Sequence, residues 1–162
     1  MKKKAIIISI KGQKLTKLEK QLIKKENPWG IILFRRNIKS FNQIKKLTIE
    51  IKKLSNDNKF PILIDEEGSS VTRLKNILNH NLNPYDFGNL YNIDKKIAIT
   101  LYKNYLKSLC SNLKKIGINV NTIPVLDVLR KNTSNVIGKR SFSKNKKIVQ
   151  TLGEITIKEC HS

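Results

Sequence analysis

The sequence predicts an α/β fold built from parallel βα repeats. Three observations predict it: short β-branched runs stop abruptly at polar residues, stretches with apolar residues at helical spacing alternate with them, and the connections are short. The run that organises the rest is Phe60-Pro61-Ile62-Leu63-Ile64, which ends at Asp65-Glu66-Glu67 and a Gly68-Ser69-Ser70 turn. A nearly unbroken apolar run of this kind is a strand buried on both faces, and its carboxyl end is where α/β folds place their chemistry. Three acids are expected to project there. Arg73, in the loop that follows, is placed to swing back over the strand end. A carboxylate and a guanidinium facing one pocket suit a ligand rich in hydroxyls, since one accepts hydrogen bonds and the other donates them.

The elements follow in order. Residues 4–10 are a β-branched run closed by Gly12, giving the first strand. Leu15, Leu18, Leu22 and Ile23 recur at helical spacing over residues 14–25, and Thr16 with Glu19 forms a capping box. Asn27-Pro28 ends that helix, and Trp29-Gly30-Ile31-Ile32-Leu33-Phe34 is a second buried strand that stops at Arg35-Arg36-Asn37. Ser40 and Gln43 form another capping box, and Ile44, Leu47, Ile51 and Leu54 carry a second helix to Ser55. Asn56-Asp57-Asn58 turns the chain into the third strand. This alternation is the signature of right-handed βαβ units and a parallel sheet.

Beyond Arg73 the composition changes. Residues 75–92 are rich in Asn and contain Pro84 and Gly88, which reads as a long loop or short helical turns over one end of the sheet. From Asp94 a long helix runs through Ile97, Leu101, Tyr105, Leu109 and Leu113, with Gly117 beyond its end. Residues 118–128 supply the fourth strand and its exit, residues 130–140 a polar loop, and Ser143 caps a helix over residues 144–159.

With 162 residues, 39% of them hydrophobic, the chain is globular and of single-domain size, and no apolar run is long enough to cross a bilayer. The apolar segment after Met1-Lys2-Lys3-Lys4 is too short for a signal peptide and lacks a small-residue cleavage site, so it is read as a strand and the protein is placed in the cytoplasm. A net charge of +21 raises the question of nucleic acid, but only five of the 33 basic residues are arginine. The lysines are dispersed over helix faces rather than gathered with aromatics into a groove, which argues against specific nucleic-acid or membrane recognition and leaves a weak, salt-dependent attraction for polyanions. Cys110 and Cys160, without a CxxC, read as reduced packed thiols. The Cys160-His161 pair diverges on a helix, His80 reads as a loop residue, and no metal or cofactor is expected.

Three stretches in order carry a family resemblance: Gly30-Ile31-Ile32-Leu33-Phe34-Arg35-Arg36-Asn37; Ile64-Asp65-Glu66-Glu67-Gly68 with Val71 and Arg73; and Pro124-Val125-Leu126-Asp127-Val128 with Ile137-Gly138-Lys139-Arg140-Ser141-Phe142. Together they resemble the bacterial family 3 glycoside hydrolases, and within them the cytoplasmic β-N-acetylglucosaminidases of peptidoglycan recycling. The resemblance implies a (β/α)₈ TIM barrel, a fold of about 250 residues, so residues 1–162 are read as the N-terminal half of such a domain, incomplete in this chain. It also implies that Asp65, Arg73 and Arg140 bind the sugar of an N-acetylglucosamine-containing muropeptide fragment, while Asp127 orders the loop after the fourth strand. Two places depart from the family pattern: Ser69 and Ser70 stand where a glycine and an arginine are usual, and Lys139 where an acid is usual.

The catalytic segment that the resemblance implies, a Lys-His-Phe-Pro-Gly-His type stretch followed by a loop histidine paired with aspartate and by an aspartate nucleophile, does not occur in residues 1–162. The acid/base and the nucleophile are therefore expected beyond Ser162, and whether Ser162 is a natural terminus stays open. The whole enzyme is expected to be a retaining β-N-acetylhexosaminidase, and the isolated chain to be inactive. Two other readings stay open: a degenerate sugar-binding or half-barrel assembly protein that self-associates through open sheet edges, and a basic nucleic-acid-binding protein.

Overall fold

The computed structural model of the chain describes residues 2–78 and 81–161. His80, read as a loop residue, and Ser162, beyond which the catalytic groups are expected, both lie outside the described residues. The described residues divide into two compact units. The first comprises residues 2–65, 73–78 and 112–121, and the second residues 66–72, 81–111 and 122–161.

The first unit is a four-stranded parallel sheet in the order β1 (Lys4–Ser9), β2 (Pro28–Leu33), β3 (Ile62–Ile64) and β4 (Val120–Asn121). Helices α1 (Lys17–Glu26) and α2 (Phe41–Ser55) connect the first three strands, as the alternation predicts. Ile31, Ile32 and Leu33 stand opposite Ile62, Leu63 and Ile64, and Leu63 opposite Val120. The core of this unit includes Ile23, Ile31, Leu33, Ile44, Ile51, Phe60, Ile62 and Ile64, each no more than 1% exposed. β1 is the exception among the β-branched runs: Ile6 and Ile7 are 51% and 44% exposed, because among the described residues β1 is an edge strand paired only with β2. β4 is much shorter than expected. At Asn119 the main-chain N–H still donates to the Ile62 carbonyl at 3.2 Å, while the side chain accepts the Ile62 N–H at 2.7 Å and donates to the Phe60 carbonyl at 3.0 Å. Beyond Asn121, Pro124 has no N–H to extend a ladder.

The capping box of α1 is present in both directions. Thr16 Oγ1 accepts the Glu19 N–H at 3.2 Å, and Glu19 Oε2 accepts the Thr16 N–H at 2.7 Å. Burial pushes the Glu19 pKa up, but the N–H groups of Thr16 and Lys11 outweigh it and hold the carboxyl below its ordinary value. Thr16→Ala is expected to lower stability by about 1 kcal/mol in denaturant titrations. Because the folded-state pKa of Glu19 is depressed, its own contribution is present above the unfolded value and is lost as pH falls through the folded one, so the effect of the substitution should shrink in acid. The second capping box forms only by half: Ser40 Oγ accepts the Gln43 N–H, but Gln43 Oε1 takes the N–H of Lys39 rather than that of Ser40. Leu18, expected on the buried face of α1, is 72% exposed, because five residues separate it from the buried Ile23, about 140° around a helix.

The second unit holds α3 (Pro84–Ile93), most of α4 (Lys95–Lys115) and α5 (Lys146–His161). Within the stretch expected to be a long loop or short helical turns, α3 is a regular ten-residue helix. Asn83 and Asp86 make its capping contact, with Pro84 in the first turn where a missing N–H costs nothing. The buried stripe of α4 in this unit is Ala98, Tyr102, Leu106 and Leu109, whereas Ile97 and Leu101 are exposed. A strict four-residue step drifts about 40° per repeat because a turn takes 3.6 residues, so the true stripe includes a three-residue step. Phe87, Tyr102, Phe142, Ile148, Val149 and Leu152 form the core of the unit with Leu106. Helix α5 starts two residues later than expected: Asn145, not Ser143, immediately precedes its first turn and accepts the Lys147 N–H at 2.9 Å, while Ser143 Oγ accepts that of Asn145.

Candidate functional site

In the first unit the carboxyl ends of β1, β2 and β3 carry a connected polar cluster. Asn37, fully buried after β2, accepts the Phe34 N–H and donates to the carbonyls of Ile10 and Gly12, which ties the exits of β1 and β2 together. That fixes Phe34. Arg36 lies 4.7 Å from the centre of the Phe34 ring while donating to the Ile10 carbonyl and to Ser9 Oγ. Arg73 approaches the same ring at 5.8 Å and donates from Nη2 to Asp65 Oδ2 at 3.0 Å. The Arg73 and Asp65 side chains are 28% and 22% exposed, so the pair is held by the protein yet reachable from solvent. Arg73 thus lies over the end of β3 as expected, and it is ion-paired with Asp65 there. Phe34 and Arg36 belong to the same cluster without being anticipated as site residues, although the aromatic at the end of the second run is an available signal.

In the second unit Arg140, on a 3₁₀ turn over Gly138–Arg140, is paired with Glu67. Nε and Nη2 donate to Glu67 Oε2 and Oε1 at 2.6 and 2.9 Å, a two-pronged guanidinium–carboxylate geometry. The Glu67 side chain is 6% exposed and that of Arg140 25%. Here the expectation of three projecting acids needs correcting. Glu67 is buried by its ion pair, and Glu66 is fully buried, its charge adding to the burial that pushes the Tyr105 hydroxyl's pKa up.

The turn after Asp65 accommodates its departures from the family pattern. Only Gly68 has a positive φ, +148°, and a Cβ there would meet the Leu82 carbonyl, so glycine is needed at this position and not at the next two. Ser69 donates its N–H to the Leu82 carbonyl, and both the N–H and the hydroxyl of Ser70 reach Asn83 Oδ1. Lys139 is exposed, while Arg140 has Glu67 to balance its charge. Asp127 is exposed and enters its loop through the main chain, its carbonyl accepting the Ser141 hydroxyl. Among the described residues no three metal-ligating side chains gather, and no helix is long and apolar enough to cross a membrane.

Residues 2–162 match the Glycosyl hydrolase family 3 N terminal domain. The chain belongs to glycosyl hydrolase family 3. Among its family 3 relatives, the β-hexosaminidase of Stenotrophomonas maltophilia strain K279a is 27% identical over 157 residues, an alignment covering 97% of this chain and 46% of that protein. NagZ from Neisseria gonorrhoeae, solved in complex with N-trifluoroacetyl-D-glucosamine, superimposes with a TM-score of 0.89 at 32% identity, covering 96% of this chain and 45% of that one. A family 3 β-N-acetylglucosaminidase from a Paenibacillus superimposes with a TM-score of 0.85 at 27% identity, over 96% of this chain and 29% of that one. The chain thus spans about half the length of the curated β-hexosaminidases it matches. With the parallel order β1-β2-β3-β4, these likenesses make its fold class that of the TIM-barrel-like N-terminal domain of family 3.

Proposed function

We propose that this family 3 chain supplies part of the sugar-holding side of a cytoplasmic β-N-acetylhexosaminidase that releases terminal β-linked N-acetylglucosamine from peptidoglycan fragments. The observation that carries this reading is the Asp65–Arg73 pair at the exit of β3, partly exposed beside the Phe34 ring. Asp65 accepts a hydrogen bond from one sugar hydroxyl, and Arg73 keeps that carboxylate oriented and donates to a neighbouring hydroxyl. Arg140, positioned by Glu67, is a separate candidate for substrate binding in the second unit. The acid/base and nucleophile of a retaining, two-step hydrolysis are assigned to residues other than 1–162, so these 162 residues alone bind sugar without cleaving it.

Two measurements on the 162-residue protein test the proposal. A chromogenic N-acetylglucosaminide should release no chromophore. Titration with N-acetylglucosamine, followed by NMR shifts, should perturb the surroundings of Asp65, and Asp65→Asn should weaken binding by about 10- to 100-fold, the worth of a hydrogen bond to a charged group. Turnover by this chain, or equal affinity in the variant, overturns the assignment.

A second reading is favoured by the exposed edge strand. Among the described residues β1 presents Ile6 and Ile7 at the edge of the sheet, a surface that recruits a further strand, and a second copy of the chain is one source. Molar mass in solution separates the two: a monomer at micromolar concentration rules out self-association as the chain's role.

A further inference from the structure

Within the second unit, α4 and α5 meet along a seam. The Tyr102 and Thr156 hydroxyls are 2.7 Å apart and buried, and Thr156 Oγ1 donates onward to the Leu152 carbonyl at 2.8 Å, so Tyr102 is the donor to Thr156. Further along both helices, Cys110 Sγ and Cys160 Sγ are 3.3 Å apart. Both are free thiols of intermediate exposure. The sequence, with the two cysteines 50 positions apart and no CxxC, anticipates two thiols but not their meeting. A disulfide bond is about 2.05 Å long, so little more than 1 Å of approach separates this contact from a covalent link.

We propose that Cys110 and Cys160 form a reversible disulfide that clamps α4 to α5. The oxidant is a peroxide and the reductant a dithiol. The Cys110 thiolate attacks one peroxide oxygen; the O–O bond breaks, hydroxide leaves, and Cys110 becomes a sulfenic acid. The Cys160 sulfur then attacks the Cys110 sulfur; the S–S bond forms, the S–O bond breaks, and the departing oxygen takes the Cys160 proton and leaves as water. In sum two thiols and one hydrogen peroxide give one disulfide and two waters. A dithiol reductant reverses the link by thiol–disulfide exchange.

The contact favours one order of attack. The two sulfurs share one hydrogen bond at 3.3 Å, which lowers the Cys110 pKa, whereas that bond, burial and the nearby charges of Cys110 and Glu159 push the Cys160 thiol up. Lys103 and Lys107 lie 3.4 and 4.0 Å from the Glu159 carboxylate and balance part of its charge. This favours Cys110 as the attacking sulfur and Cys160 as the resolving one, while the link itself rests on the 3.3 Å contact between them.

The test compares the whole chain held in reductant with the chain after one equivalent of hydrogen peroxide. The expected product is a monomer lighter by two hydrogens, with no titratable thiol and one peptide pair joined through Cys110 and Cys160. Its melting temperature should rise by about 10 °C, as expected for closing a loop of this length in a domain of this size, and a dithiol should return it to the starting value. Cys160→Ser should melt like the reduced chain, gain nothing from peroxide, and leave Cys110 as a trappable sulfenic acid. The proposal is overturned if both thiols of the native chain still titrate after peroxide, if the sulfurs take up oxygen separately, if the only disulfides join different chains, or if the oxidised chain melts no higher than the reduced one.

Discussion

Arg140→Ala is expected to lower stability by about 3–5 kcal/mol, the loss typical when one partner of a buried ion pair is removed. The size follows from what remains behind. Glu67 is 6% exposed and takes both prongs of the guanidinium, so the truncated chain keeps a carboxylate out of water with its counter-charge gone. The Asp65–Arg73 pair should be far less costly to break, because both of its members reach solvent and water replaces the lost partner. Combining Glu67→Gln with Arg140→Leu should recover most of the loss, since exchanging a whole buried pair for neutral groups of similar size is often close to neutral. Urea unfolding of the single and double variants measures this directly. A loss below about 1 kcal/mol for Arg140→Ala is the surface-pair value and would mean that Glu67 finds water when Arg140 is removed.

Gly88→Ala should destabilise the second unit by about 2–3 kcal/mol, because crowding a packed site costs on the order of 1–3 kcal/mol and sometimes more. Helix propensity by itself points the other way, favouring alanine by about 1 kcal/mol inside a helix such as α3. The sign is set by the neighbour: a Cβ at position 88 falls on the main-chain carbonyl of Phe142, which no rotamer change can move aside. Gly12→Ala is the matched control, since a Cβ there meets nothing within 4 Å. Thermal unfolding of the two variants side by side should show a large downward shift for position 88 and little change for position 12. Equal melting temperatures would show that the Phe142 backbone yields.

What is legible in the sequence is local. The Thr16–Glu19 capping box, the alternation of strands and helices and the Asp65–Arg73 contact all join residues no more than a loop apart, so spacing and residue type are enough to anticipate them. α3 reads as a loop or short helical turns because Asn-rich composition and Gly88 are poor helix signals, although Asn83-Pro84 with Asp86 is a start signal in plain view. Its glycine is explained by a residue in another part of the chain, Phe142. Helical stripes drawn for α1 and α4 from apolar residues alone include Leu18, Ile97 and Leu101, all of which are exposed; apolarity marks candidates for burial, but only neighbouring elements decide which face is covered.

The amino-acid sequence by itself determined the class of fold, the parallel sheet and the acid and arginine at the mouth of β3, because these follow from periodicity, turn chemistry and a contact within one loop. Only the tertiary structure decided that Glu66 and Glu67 are buried rather than projecting, that Glu67 is the anchor of Arg140, that β1 is the edge strand among the described residues and that Cys110 meets Cys160. Each of these joins groups many residues apart or depends on which surfaces are covered. The energy of burying a charge or pairing two thiols depends on distance in space, for which separation along the chain carries no code.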